Sequence, residues 1–144
     1  MTIALSYEAV ADGIYAVSAL HSYLAPTDSD MPPMLCRDCR PALYAAIRGA
    51  FNFTALRVLH AISDLSLDDP DTIIMVIRDD AARGADAAVV RHALQEAVAA
   101  YTMHICYLGV DTPASDAWLA TFNSHADTLR RLLPPRPPRL APCS

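Results

Sequence analysis

Apolar residues along much of the chain recur at intervals of three, four or seven, which is the spacing of side chains on one face of an α-helix. The clearest stripe follows Asp86, a suitable N-cap, and stops before Gly109, a residue type that often ends helices. Its apolar members are Val90, Leu94, Ala97 or Val98, Tyr101, Ile105 and Leu108. This pattern predicts a helix between the two boundary residues.

Similar stripes lie near both ends of the chain. We predict a helix from about Ser6, its N-cap, to Leu24. Another is predicted to begin at Asp111 or Thr112, with Pro113 in its first turn. The inward-facing positions of this last helix are Trp118, Phe122, Leu129 and Leu132 or Leu133.

The segment Cys36–Leu65 holds the longest run of apolar residues at helical spacing. Pro41 suits the first turn of a helix, because a missing N–H has no cost there. The predicted core face consists of Tyr44, Ile47, Phe51, Val58, Ile62 and Leu65. We predict that this segment is the central helix of the fold, either continuous or broken near Asn52, with Thr54 capping the second part.

The apolar run Ile73–Ile77 fits either a buried strand or a helix. Its length and its β-branched residues favour a strand, whereas Asp69 and Pro70 before it and the alanines after it favour a helix that ends before Gly84. No second strand is apparent in the sequence to pair with it, and an isolated strand is not stable. We therefore predict a helix here.

Prolines mark the stretches that cannot be helical. Ala25–Pro33 is predicted to be a loop, and the sequence PPRPPRLAPCS from Pro134 onward is predicted to be extended. The whole pattern predicts an all-α fold, a compact bundle of about five helices. The helices would form a single domain over residues 1–133, followed by a Pro-rich mobile tail over residues 134–144.

Composition narrows the class of function. The 144 residues include 11 basic residues, all of them arginine, and 16 acidic residues, for a net charge of −5. This balance argues against binding to nucleic acid, which needs clustered positive charge. No apolar run reaches the roughly 18 residues of a membrane span, and the N-terminus does not resemble a signal peptide. We expect no membrane partner, a cytoplasmic location and reduced thiols.

Cys36 and Cys39 are the two thiols closest in sequence. Two thiols at this spacing can bind zinc or cycle as a dithiol, and Arg37 and Arg40 beside them would stabilise thiolates. A structural zinc needs four ligands, however, and no second pair of this kind follows. The pair is a candidate zinc or redox site, and the alternative is ordinary buried cysteine.

Four aspartates, Asp64, Asp68, Asp69 and Asp71, lie close together in the sequence. They could bind a basic patch on a partner protein or a cation. Their spacing does not fit an EF-hand loop, which needs a turn glycine and a terminal glutamate. The alternative is that they cap helices and keep a loop solvated.

The C-terminal sequence PPRPPR carries Pro and Arg at the spacing that SH3-type grooves recognise in a polyproline helix. The alternative is a Pro-rich terminus without a binding role, which is a common feature of proteins. Under either interpretation the tail is separate from the helical core.

The sequence lacks the motifs of common catalytic sites. The four glycines are scattered singly, so there is no phosphate-binding loop or dinucleotide fingerprint, and there is no Gly-x-Ser-x-Gly elbow. By elimination, we predict a small acidic helical protein without a cofactor that binds another protein, as an inhibitor, an immunity protein or a regulatory adaptor. The alternative is a metal- or thiol-dependent protein, with zinc bound at the cysteine pair. A helical enzyme or ligand-binding bundle without a known motif also stays open.

Overall fold

The computed structural model describes residues 1–24, 35 and 39–135, and these residues form helices and a sheet together. The predicted all-α bundle of about five helices is therefore wrong. The predicted loop Ala25–Pro33 and the tail beyond Pro135 lie outside the described residues. In chain order the elements are β1 (Thr2–Ser6), α1 (Tyr7–Leu24), α2 (Arg40–Leu56), a 3₁₀ turn (Leu59–Ala61), β2 (Ile62–Ser66), β3 (Thr72–Ile77), α3 (Ala87–Tyr107) and α4 (Thr112–Leu132).

The three strands form one antiparallel sheet in the order β1–β3–β2. The predicted helix at Ile73–Ile77 is wrong, because β3 has a partner on each side. One partner is the N-terminal strand β1, in which Ile3 lies opposite Met75 and both side chains are fully buried. Since β1 is only five residues long and lies about 70 positions away, no local pattern in the sequence pairs it with β3.

The other partner, β2, was predicted to be part of a helix because Ile62 and Leu65 are three residues apart. In a regular strand such residues would lie on opposite faces of the sheet. A β-bulge between Ile62 and Asp64 adds one residue to β2, so that the side chains of Ile62 and Leu65 lie on the same side of the sheet. Ile62 lies opposite Ile77, and Leu65 lies opposite Met75. The bulge therefore produces a helix-like spacing within a strand.

The predicted central helix is confirmed only in part. It begins at Arg40 with Pro41 in its first turn, but it ends at Leu56. Thr54 does not cap a second helix, since its hydroxyl group lies inside α2 and donates a 2.7 Å hydrogen bond to the Ala50 carbonyl oxygen. Asp69 does not cap a helix either, because its carboxylate accepts from backbone N–H groups in the turn that leads into β3.

The other three helices are confirmed with their caps. Ser6 Oγ accepts from the N–H of Ala9 at the start of α1. The carboxylates of Asp86 and Asp111 accept from backbone N–H groups in the first turns of α3 and α4, at 2.8 and 3.1 Å. Gly109 has a φ of +81°, which side-chain-bearing residues rarely adopt, and it ends the helical path after α3.

The core lies between one face of the sheet and the helices. The buried strand residues of β1 and β3 join one cluster with residues of α1, α2 and α3, including Ile14, Ile47, Phe51 and Leu94. The opposite face of β1 is open, since Thr2 and Ala4 are exposed. α3 packs against α1, α2, α4 and β1, so it is α3 rather than α2 that occupies the centre. No helix in the described ranges is long and apolar enough to cross a membrane.

Candidate protein-binding groove

An apolar hollow of about 460 Å³ lies between the C-terminal half of α2 and the edge strand β2. Its lining includes Phe53 and Leu56 from α2, Leu59 from the 3₁₀ turn, and Ile62 and Leu65 from β2. Leu56 and Leu59 have 64% and 60% of their surface exposed. Leucine side chains exposed to this extent next to one another form a patch rather than isolated surface residues.

The hollow exists because the helices do not extend over the edge of the sheet. Ile62 and Leu65 face the same side as the buried residues of β3, yet both are only half-buried. α2 ends at Leu56, before the chain turns into β2, so its last turn leaves the edge strand partly uncovered. The exposed apolar surface therefore follows from the fold and is not confined to one loop.

A second hollow, of about 360 Å³, lies at the other end of α2. Tyr7 and Tyr44 stack there with ring centroids 5.4 Å apart and an interplanar angle of 20°. Leu67 and Pro70 from the β2–β3 turn complete the apolar part of its lining. Burial raises the pKa of Tyr7, and the positive charge of Arg48 partly offsets that rise.

The two hollows lie along the same pair of elements. Each is lined on one side by α2 and on the other side by β2 or the turn after it. We call the two together the α2–β2 groove. Its apolar half comprises Phe53, Leu56, Leu59, Ile62 and Leu65, and its acidic half comprises Tyr7, Tyr44, Arg48, Leu67, Asp68, Asp69 and Pro70.

Three of the four predicted partner-binding aspartates lie at the acidic end. Asp68 and Asp69 line the groove, and Asp71 is exposed just beyond them. Asp69 also has a structural role, because one of its carboxylate oxygens accepts from the N–H groups of Asp71 and Thr72, at 2.7 and 3.3 Å. That these residues bind a partner stays a prediction.

Asp64 lies apart from the others, on β2. It is exposed on the outer face of the sheet, and its carboxylate accepts a 2.9 Å hydrogen bond from the N–H of Leu65. A charged residue and a bulge are two devices that keep edge strands from pairing with other chains. Asp64 therefore helps to keep other strands from pairing with β2, and it does not line the groove.

Only half of the predicted cysteine pair can be placed. Cys39 is a free, half-buried thiol immediately before α2, and Cys36 lies outside the described residues. Arg40 is directed elsewhere, since its guanidinium group lies 3.6 Å from the carboxylate of Asp12. Among the residues with described positions, no three His, Cys, Asp or Glu side chains form a group that could hold a metal ion. The zinc or redox site stays a prediction.

A serine–histidine contact that the sequence analysis missed joins α3 to α4. Nδ1 of His104 lies 2.9 Å from both the hydroxyl and the carbonyl oxygen of Ser115, and the hydroxyl donates to the His104 carbonyl oxygen at 3.1 Å. A carbonyl oxygen can only accept, so Nδ1 carries the proton and cannot serve as a base for the serine. Ser115 is also buried. The contact therefore fastens two helices together.

A small hollow between α1, α3 and α4 brings polar groups together. Glu96, Trp118 and His125 line it, with Gly13 and Met103. Its volume is about 80 Å³, well below the several hundred Å³ of a typical small-molecule site. It is thus a weaker candidate than the α2–β2 groove.

Comparison with known proteins adds no further constraint. The chain matches no protein-family model, no curated protein and no solved structure.

Proposed function

We propose that this protein acts by binding another protein, in the manner of an inhibitor, an immunity protein or a regulatory adaptor, and that the partner contacts the α2–β2 groove. The observation that carries the proposal is the apolar half of the groove, where two strongly exposed leucines lie beside the half-buried Phe53, Ile62 and Leu65. Burying one exposed leucine side chain contributes about 1.5–3 kcal/mol in favourable cases. A few such residues supply the central contacts of a typical interface.

The arrangement of the groove favours side-chain contacts over strand addition. A partner that extended the sheet at β2 would need the outward backbone groups of that strand. The Leu65 N–H is already bonded to Asp64, and the bulge interrupts the regular ladder. A partner is thus expected to place apolar side chains or a helix between α2 and β2, with basic groups toward Asp68 and Asp69.

A matched pair of substitutions tests the proposal. Leu59 lies in the groove and is 60% exposed, whereas Leu108 lies at the end of α3 and is 61% exposed. Leu59→Asp and Leu108→Asp therefore make the same chemical change at sites of equal exposure. The wild-type chain and both variants would be immobilised and exposed to extract of the native host, and captured proteins would be quantified by mass spectrometry.

We expect Leu59→Asp to reduce the capture of a specific partner about tenfold or more, because a carboxylate would be buried against apolar groups. Leu108→Asp should leave capture within about twofold of wild type. Urea unfolding of both variants would establish that they are folded. If the two variants captured the same proteins in the same amounts, the groove would not be the binding surface.

A further inference from the structure

The two outer strands of the sheet differ in their protection against pairing with further strands. β2 has a bulge between Ile62 and Asp64, and Asp64 places an exposed charge beside it. β1 has neither device, since its sequence TIALS contains no charged residue and no proline, and its register against β3 runs without a shift from Thr2 to Ser6. Edge strands that lack such devices are the ones open to pairing with another chain. In this sheet that edge is β1.

Hydrogen bonds at both ends of β1 show which of its backbone groups point toward β3. At one end, the N–H of Ile77 donates to the Met1 carbonyl oxygen at 2.7 Å. At the other end, the N–H of Tyr7 donates to the Asp71 carbonyl oxygen at 3.1 Å. Bonded and non-bonded pairs alternate along an antiparallel ladder. The odd-numbered residues of β1 therefore bond to β3, and the even-numbered residues point their N–H and C=O groups away from it.

Three residues thus present backbone groups on the free edge, namely Thr2, Ala4 and Ser6. Thr2 and Ala4 are small and exposed, so they do not obstruct that edge. Ser6 caps α1 and turns its carbonyl group into the helix, while its N–H stays on the edge. Within the described ranges, β3 is the only strand that pairs with β1. The edge therefore offers main-chain donors and acceptors to an added antiparallel strand.

The edge of β1 is complementary to itself. When a second copy of β1 runs antiparallel beside the first, with a twofold axis at Ala4, the two Ala4 residues lie opposite each other and exchange two hydrogen bonds. Each Ser6 then lies opposite Thr2 of the other copy, and its N–H reaches the Thr2 carbonyl oxygen. Because the strand carries no charged side chain, the axis brings no like charges together. The chain's own edge thus supplies acceptors for the outward donors of Ala4 and Ser6.

We propose that two copies of this chain pair through antiparallel β1 strands, with the twofold axis at Ala4, and that their sheets join into one sheet of six strands. The strand order is β2–β3–β1–β1–β3–β2, with the helices of both copies on the same face. Both α2–β2 grooves lie at the outer edges of this sheet and stay accessible. That one dimer binds two partner molecules rests on the proposed function, whereas the pairing of β1 does not.

The test measures self-association of the full chain by sedimentation equilibrium, up to about 0.2 mM protein, with a reductant to prevent disulfide cross-links. Ala4→Pro is the main variant, because proline removes the outward N–H of Ala4 but no hydrogen bond to β3. Ala4→Ser is the matched control, since it keeps this N–H and changes the size of the side chain little. Urea unfolding of both variants shows whether they are folded.

We expect the wild-type chain to dimerise in this range. Ala4→Pro should raise the dissociation constant about thirtyfold, because it removes both hydrogen bonds of the central pair. Ala4→Ser should leave the dissociation constant within about threefold of wild type. Leu59→Asp should also leave it unchanged, because the α2–β2 groove lies on the other edge of the sheet.

A second set of variants tests the position of the axis and does not require Ala4→Pro to fold. Ala4→Lys and Ala4→Glu each place like charges opposite each other when the variant pairs with itself, whereas a mixture of the two places opposite charges there. We expect the mixture to associate about tenfold more tightly than either variant alone at low salt. Thr2→Lys and Thr2→Glu are the matched controls, and mixing them should give no such gain because Thr2 lies opposite Ser6 and not opposite itself.

Three results would overturn the proposal: a wild-type chain that stays monomeric, a dimer that folded Ala4→Pro weakens no more than Ala4→Ser, or a gain on mixing that is no larger at residue 4 than at residue 2. Dissociation of the dimer by Leu59→Asp but not by Ala4→Pro would also overturn it, since the copies would then associate through the groove. These outcomes are separate from partner capture, in which the difference between Leu59→Asp and Leu108→Asp tests the proposed function whether or not the chain dimerises.

Discussion

The most direct check of the fold is the contribution of the N-terminal strand to stability. Ile3 is fully buried in β1 and lies opposite Met75 in the centre of the sheet. Ile3→Ala removes three carbon atoms, which contribute about 2.4 kcal/mol at about 0.8 kcal/mol per buried carbon. The cavity that is left adds to this loss, so the free energy of unfolding should fall by about 3 kcal/mol in total.

Thr2→Ala is the matched control, because Thr2 is the neighbouring residue in the same strand and its side chain is exposed. It should change the free energy of unfolding by less than about 0.5 kcal/mol. Urea unfolding at 25 °C, followed by circular dichroism, gives both values, and the dependence on urea concentration should have the same slope in all three proteins. For a chain of this size, a loss of about 3 kcal/mol corresponds to a fall in Tm of about 6–12 °C.

An equal and small effect of the two substitutions would refute the reasoning. It would mean that the N-terminal residues do not pack on the core, and that β3 has only one partner strand. A large effect of Thr2→Ala and a small effect of Ile3→Ala would mean that the strand pairs in a register shifted by one residue, with its faces exchanged.

Four other positions give sharp expectations for stability. Gly109→Ala should destabilise the folded protein by about 1 kcal/mol, because a φ of +81° strains any residue with a Cβ atom. Gly13 lies inside α1, and an added Cβ atom there would have no neighbouring group within 4 Å, so Gly13→Ala should stabilise the protein by about 0.5–1 kcal/mol. Urea unfolding of both variants measures the two opposite changes. Ser115→Ala removes a buried hydroxyl group that bonds to His104 and should cost about 1–2 kcal/mol, and a change of less than about 0.3 kcal/mol in the same assay would contradict a role in fastening α3 to α4. Burial raises the pKa of the Cys106 thiol from its ordinary value near 9 to about 11, so the thiol loses its proton at a lower pH in the unfolded chain than in the folded one. The free energy of unfolding should therefore fall by up to about 2–3 kcal/mol as pH rises from about 9 to about 11. Cys106→Ala should make the measured free energy of unfolding less dependent on pH in this range, and an unchanged dependence would exclude Cys106 as its source.

Three of the four described helices, α1, α3 and α4, could be predicted because each begins at a side-chain cap, and α3 is also followed by a glycine stop. Asp86 and Asp111 cap their helices through the side-chain contacts that the sequence implies, and Gly109 adopts the positive φ expected of a helix stop. These signals are local, since capping involves residues only two or three positions apart. A helix that is specified locally can be recognised without knowledge of its neighbours.

The sheet could not be predicted, because its stability depends on pairs far apart in the chain. The run Ile73–Ile77 is apolar on both faces, with Ile74 and Val76 half-buried on the side away from the helices, so no alternation marks it as a strand. Its N-terminal partner precedes it by about 70 residues. The prediction of a helix was wrong because the sequence gives no local sign that β1 pairs with this run.

The same error hid half of the candidate site. The acidic residues Asp68 and Asp69 can be recognised in the sequence by their charge, and both line the acidic half of the groove. The spacing of Ile62 and Leu65 predicts a buried helix face, on which neither residue would be available to a partner. In the structure, Ile62 and Leu65 lie on the edge strand β2, on the side that faces the helices. Because α2 does not cover them fully, they form the floor of the groove. The proposed binding function therefore rests on a specific surface rather than on the absence of catalytic motifs, and the Leu59 and Leu108 substitutions test that surface.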